Sequence, residues 1–202
     1  NTSPAIDDVA VVEFVARRAR EVKLVKIFVY GAVTKGLKGE ELVEMGLLQE
    51  AGALAFTDGI RAVRNARVMR NALSYAQAFD ALIIQHPEDP DLAKNGDMNE
   101  GELATRLGLA GIPAAAEAIL LERDRRLVEL TGGRYHAAHV STGDGLEIVR
   151  SAKATGLKIT ADTAPPYFTL NELEVEDYRT FAKVSPPLRS EPDRMAVVDA
   201  LK

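Results

Sequence analysis

The sequence predicts an α/β fold built on a parallel sheet. Short apolar runs with strand character recur every 25 to 50 residues, and amphipathic helical stretches separate them. About six such strands can be counted, and the chain both starts and ends on a helical segment. Two architectures share this alternation, an open doubly wound sheet and a closed (β/α)8 barrel. A barrel needs eight strands, so on that reading about six of the eight βα units are present and the chain is part of a longer protein.

Each element has its own local signal. Ser3-Pro4 reads as a cap followed by proline at the first helical position, with Ile6, Val9, Ala10, Phe14 and Val15 at helical spacing to about Glu21. Residues 24–30 (LVKIFVY) alternate and are rich in β-formers, and Gly31 ends the run. A helix is expected over 39–51, stopped by Gly52, and a short buried strand over 53–57 terminating on Asp58-Gly59. The pattern repeats with a helix at 65–79 and a strand at 81–85 that ends on His86-Pro87. After a polar loop come a short helix near 100–107 and a long one from Pro113 to Leu130, closed by Gly132-Gly133. A strand at 135–138, a helix at 145–155 and a strand at 157–161 follow. Residues 181–184 are expected as a further strand and 194–201 as a helix.

Bulk properties narrow the function classes. The 202 residues are 47% hydrophobic and 27% charged, the balance of a globular chain with one substantial core, and 1–202 is taken as a single domain. A net charge of −5 leaves no basic footprint for nucleic acid. With no cysteine, any metal must be held by His, Asp or Glu. No apolar run approaches the roughly 20 residues of a membrane span and no signal peptide opens the chain, so a cytoplasmic location is expected. The glycines of 31–39 (GAVTKGLKG) do not match a phosphate-binding loop, because Leu37 follows Gly36 where lysine is required.

The chemistry-bearing residues gather at strand ends. Three successive strands finish on a potential metal ligand: Asp58, His86 and His139. In a parallel barrel such ends share one face, where catalytic groups are displayed. Imidazole and carboxylate donors suit zinc, and a catalytic zinc lowers the pKa of its water toward about 7. His136 lies three residues before His139, so the two point to opposite faces unless the strand ends between them. Asp162, at the end of the next strand, fits either a ligand or a helix cap, and the cap is the favoured reading.

An ordered set of motifs then carries a resemblance. FTD at 56–58, HPED at 86–89, MNEG at 98–101, GIP…AE at 111–117, HAAHVST at 136–142 and SPPLR at 185–189 follow the order found in class I dihydroorotases of the amidohydrolase superfamily. Asn1-Thr2-Ser3-Pro4 resembles that family's N-T-x-P segment.

The resemblance implies a metal-dependent hydrolase barrel with Asp58 as the carboxylate ligand, bridging where two metals bind, and His86 and His139 as histidine ligands. It implies one or two Zn2+ per subunit and reversible hydrolysis of dihydroorotate to N-carbamoyl-L-aspartate in pyrimidine synthesis. Asn1 and Ser185 would touch the substrate, and a homodimer or an association with aspartate transcarbamoylase is compatible with it. Hydantoinase-type relatives bridge their metals with a carboxylated lysine, whereas the matching position here is Asp58.

The chain also departs from the pattern. The family's first-strand H-x-H and its late general-base aspartate are absent from these residues, so the 202 residues alone are expected to be inactive. D-D-G is reduced to Asp58-Gly59, P-H-H is replaced by Pro165-Pro166-Tyr167, and the asparagine of N-P-P-L-R is Ser185. Those losses leave a second reading, an inactive dihydroorotase-like subunit that scaffolds aspartate transcarbamoylase; a third is another cyclic-amide hydrolase of the same superfamily, such as an allantoinase, in which only the substrate pocket differs.

Overall fold

A computed structural model describes residues 2–202, and Asn1 lies outside the described residues. The chain divides into two compact units. One comprises the N-terminal segment through His86 together with Arg126–His136, and the other Pro87–Arg125 with Ala137–Lys202.

The first unit is built on strands β1 (Val29–Gly31), β2 (Ala53–Phe56), β3 (Leu82–Gln85) and all but the last residue of β6 (Arg134–Ala137), in the order β1-β2-β3-β6, with β1–β2 and β2–β3 paired in parallel. Gly31 pairs with Phe56, and Phe56 with Ile83. A side chain on Gly31 would stand 2.9 Å from the Phe56 ring, so glycine is what allows that ring to close on the strand. Helices α1 (Val9–Val22), α2 (Met45–Glu50) and α3 (Ala66–Gln77) supply the rest of the core. Asn65 caps α3, whose Met69, Ala72, Leu73 and Ala76 are buried at helical spacing. Phe56, Ile83, Leu48 and Tyr135 are the large side chains they join. Each fully buried side chain of this size stabilises by about 1.5–3 kcal/mol.

Three local expectations differ from what forms in this unit. The first helix is capped by Asp8, whose carboxylate accepts the Ala10 N–H at 2.8 Å, and not by Ser3. The preceding residues are used elsewhere: the Ile6 carbonyl accepts the Ala32 N–H and the Asp7 carboxylate accepts the Gly36 N–H. The strand of 24–30 is reduced to β1, with Leu24, Val25, Ile27 and Phe28 exposed. Intrinsic β preference is not enough where the residues have no paired surface to pack on. The helix of 39–51 is reduced to α2, because the Lys35 N–H donates to the Glu41 carbonyl and the Val43 N–H to the Val33 carbonyl.

The second unit begins with the short parallel pair β4 (Met98–Asn99) and β5 (Gly111–Ile112), which flank α4 (Glu102–Leu107). Met98, Leu103, Ala104 and Val175 form a small apolar cluster there. Helix α5 (Ala115–Thr131) leads out of this unit, and α6 (Gly143–Ala154), β7 (Ile159–Ala161), α7 (Pro165–Thr169) and α8 (Glu191–Ala200) complete it. The Asp162 N–H donates to the Ala137 carbonyl at 3.1 Å and the Val140 N–H to the Asp162 carbonyl at 2.9 Å, so the segments leaving β6 and β7 lie side by side. The strand expected at 181–184 does not form. Thr180–Ala182 is a 3-10 turn with Phe181 fully exposed, and Lys183 pairs with Asp97.

Candidate active site

Asp58 follows β2 and is buried. Its Oδ1 accepts the Val33 and Thr34 N–H groups, each at 2.9 Å, and its Oδ2 accepts the Thr34 hydroxyl. The parallel register explains this: Gly31 lies opposite Phe56, so the residues two further on, Val33 and Asp58, come level. Burial pushes the Asp58 carboxyl above its ordinary range, and the Thr34 and Val33 hydrogen bonds oppose that rise.

His86 is the first residue after β3 and is 3% exposed. Continuing the Phe56–Ile83 register brings Asp58 level with Gln85, one residue short of His86. Gln85 is also buried, and its Oε1 accepts the Val63 N–H at 2.8 Å, which braces the loop that follows Asp58. Two of the three expected ligands thus stand at the ends of adjacent strands within one unit.

His139 belongs to the second unit and is exposed. Strand β6 ends at Ala137, between His136 and His139, which releases His139 from the strict alternation of the strand. Its φ of 61° is left-handed, a conformation that costs a non-glycine residue about 1–3 kcal/mol and persists only where surrounding structure imposes it. Its N–H donates to Asp162 Oδ1 at 2.6 Å. Asp162 is therefore not the helix cap expected from the sequence. Ala164 stands at the start of α7, and the Asp162 carboxylate instead faces the β6 loop.

Behind His139 lies a buried polar cluster that strand-end reasoning missed. Glu117, 1% exposed, accepts four hydrogen bonds. Ser141 N–H and Oγ reach Oε2 at 2.9 and 2.6 Å, and Thr142 N–H and Oγ1 reach Oε1 at 3.0 and 2.6 Å. Arg189, 2% exposed, donates from Nε to Ser141 Oγ and from Nη1 to Asn99 Oδ1 and the Ile112 carbonyl, each at 3.1 Å. Burial draws the Arg189 guanidinium below its ordinary range, and the Glu117 charge chiefly opposes this. All three side chains sit inside the motifs GIP…AE, SPPLR and MNEG, which was the available signal, but only burial assigns them a role.

Of the remaining candidates, Ser185 is exposed and donates to Glu88 Oε2 at 3.3 Å. Asn1 lies outside the described residues. Tyr167, in the place of the family's P-H-H, is buried with its hydroxyl donating to the Pro186 carbonyl at 3.0 Å. Burial, and then the charges of Glu117 and Glu88, hold its phenol far above the usual range. Among the described residues, no three His, Asp or Glu side chains are grouped so as to hold a metal ion.

Comparison with known proteins gives these residues a family. The model of dihydro-orotase-like proteins matches residues 1–145, well over half of the chain. The chain belongs to the dihydroorotase-like family. It is 48% identical to the dihydroorotase of Desulforapulum autotrophicum, covering 100% of this chain and 47% of that protein. It is 47% identical to the dihydroorotase of Syntrophotalea carbinolica, with the same coverage. This dihydroorotase-like chain therefore spans about half the length of the curated relatives it matches. Among solved structures it superimposes on the L-hydantoinase (dihydropyrimidinase) of Arthrobacter aurescens with a TM-score of 0.77 at 20% identity, covering 99% of this chain and 46% of that one. A D-hydantoinase matches over 92% of this chain with a TM-score of 0.67. That likeness resolves the two architectures left open by strand counting: the fold is part of a (β/α)8 barrel.

Proposed function

We propose that the full-length protein is a dihydroorotase, catalysing the reversible, zinc-dependent hydrolysis of dihydroorotate to N-carbamoyl-L-aspartate in pyrimidine biosynthesis. The observation that carries this reading is the match to the dihydro-orotase-like family over the stretch that contains Asp58, His86 and His139. Residues 1–202 are taken as one partial barrel domain of that enzyme, located in the cytoplasm. Among the described residues no helix is long and apolar enough to cross a membrane.

The donor chemistry fits a divalent metal in kind, as part of a ligand set. Asp58 Oδ1 is used by two backbone donors, whereas Oδ2 accepts one hydroxyl and keeps a second lone pair for a cation. His86 offers a buried imidazole on the next strand, and His139 an exposed one. Zinc held there supplies Lewis-acid polarisation of the ring amide. The chain's own contribution is to fix the carboxylate through Val33 and Thr34 and to keep the His86 side of the site dry. Water adds across the ring amide, its hydroxyl going to the carbonyl carbon and its proton to the departing nitrogen. Asn1 and Ser185 are assigned to substrate contact. The expected assembly is a homodimer, with aspartate transcarbamoylase as a candidate partner.

One observation favours a second reading, a non-catalytic subunit that scaffolds a transcarbamoylase. At the P-H-H position the chain carries Tyr167, whose hydroxyl is spent on Pro186 in the interior. Metal content and dihydroorotate turnover of the full-length protein, measured beside its His86→Ala and His139→Ala variants, separate the two. The dihydroorotase reading expects about one or two zinc equivalents, a drop in both variants, and turnover that follows the metal. A parent protein that binds no zinc and turns over no dihydroorotate supports the scaffold and sinks the enzyme reading.

A further inference from the structure

Five consecutive backbone N–H groups after β6 each have a specific acceptor. His139 and Val140 donate to the carboxylate and the carbonyl of Asp162, Ser141 and Thr142 to the two oxygens of Glu117, and Gly143 to Asp193 Oδ1 at 2.9 Å. Four of the five bonds thus end on carboxylates. A five-residue segment with no freedom at any amide has one backbone path, and that path carries the left-handed φ of His139.

The carboxylates are placed where they are stable. Thr142 is the cap of α6, its Oγ1 accepting the Gly145 N–H at 3.0 Å, so the Thr142 and Gly143 amides belong to the positive end of that helix and Ser141 immediately precedes it. Glu117 is two-oxygen bonded to that end, and Arg189 brings a counter-charge through the shared Ser141 hydroxyl. A buried carboxylate with every oxygen doubly bonded is stiff, and it can transmit its position to the loop it holds.

We infer that Glu117 is a positioning residue for His139: by gripping the N–H and O–H groups of Ser141 and Thr142 it fixes the loop that aims the His139 imidazole. This inference rests on the reading of His139 as a metal ligand. Glu117 acts without touching metal or substrate, as second partners that orient ligands do, and loss of such a partner typically weakens metal binding about 10–100-fold.

The test is zinc affinity of the full-length protein, measured by competition with a chromogenic chelator, in a double-mutant cycle of Glu117→Gln and His139→Ala. Glutamine keeps the volume but turns an amide NH2 toward the Ser141 or Thr142 donors. Glu117→Gln is expected to weaken zinc about tenfold or more with His139 present and by less than about twofold in the His139→Ala background. Equal weakening in both backgrounds means a general structural role and overturns the inference. No weakening in either overturns it as well, while leaving His139 as a ligand if His139→Ala itself loses zinc. If His139→Ala binds zinc like the parent, the ligand reading falls and the inference with it. Should Glu117→Gln fail to fold, Ser141→Ala and Thr142→Val, which remove one hydroxyl each and keep the N–H bonds, run the same cycle with smaller steps in the same direction.

Discussion

Gly145 lies against Glu117 so closely that a Cβ at this position would stand 2.4 Å from Oε1. The same Cβ would meet Thr142 Oγ1 at 3.0 Å and Val140 Cγ1 at 3.1 Å. The absence of a side chain at Gly145, in the first turn of α6, is therefore what admits the buried carboxylate. Glu117 cannot swing aside, because both its oxygens are committed to Ser141 and Thr142. Gly145→Ala is expected to destabilise by about 1–3 kcal/mol, the range for overpacking a rigid interior, although alanine is the better helix former. Urea unfolding checks this: a midpoint at or above that of the parent would mean that the carboxylate has room to move.

Thr34 makes a comparable prediction in the first unit. Its hydroxyl donates to Asp58 and accepts the Gly39 N–H at 2.9 Å, in a position with no exposed surface. Thr34→Val keeps the shape and removes both bonds, leaving the half-buried Gly39 N–H and a buried carboxylate oxygen short of a partner. The expected loss is about 1–3 kcal/mol by thermal unfolding of the metal-free protein. An unchanged melting temperature would show that water replaces the hydroxyl.

Much of this architecture is legible in the sequence because its signals are periodic or terminal. The helices at 66–77 and 115–131, and the strands ending near Asp58, His86 and His139, follow from alternation, helical spacing and glycine stops. What is not legible is where backbone groups find distant partners. Residues 39–44 carry helical spacing, yet hydrogen bonds to Val33 and Lys35 pull them into a loop. The run at 24–28 reads as strand but only the residues paired with β2 become one. Glu117 and Arg189 read as ordinary charges on a helix and a loop. Their meaning lies in burial and in partners 24 and 48 residues away, Ser141 in both cases. Asp162 shows the same limit, since a carboxylate after a strand serves a cap or a neighbouring loop with identical local sequence.

Arg189 allows charge and geometry to be separated. Its fork reaches Ser141, Asn99 and Ile112 at once, while its Nη2 is buried with no hydrogen-bond partner among the described residues. Arg189→Lys keeps the positive charge near Glu117 but cannot span three acceptors, and should lose about 1–3 kcal/mol. Arg189→Met removes the charge and strands a buried carboxylate, with an expected loss of roughly 3–5 kcal/mol. The order parent, lysine, methionine in urea midpoint is the prediction. Methionine equal to or above lysine would show that the charge contributes nothing to the Glu117 cluster.

Glu191, the first residue of α8, gives a pH dependence whose sign follows from its contacts. The Arg194 guanidinium donates to it, and the Asn171 amide at 2.7 Å, which together hold its carboxyl down at about 2 against an ordinary value of 4.5. A carboxyl with a lowered value in the folded state releases its proton more readily there than in the unfolded chain. Its stabilising contribution is therefore complete above about 4.5, and it fades as pH falls toward about 2. The group is open to solvent, so the effect is small and shrinks with added salt. Glu191→Gln should melt slightly below the parent at neutral pH and low ionic strength, and the difference should close as the pH is lowered through that window. A gap that stays constant with pH would mean that glutamine alters α8 by something other than the lost charge, such as its contact with Asn171.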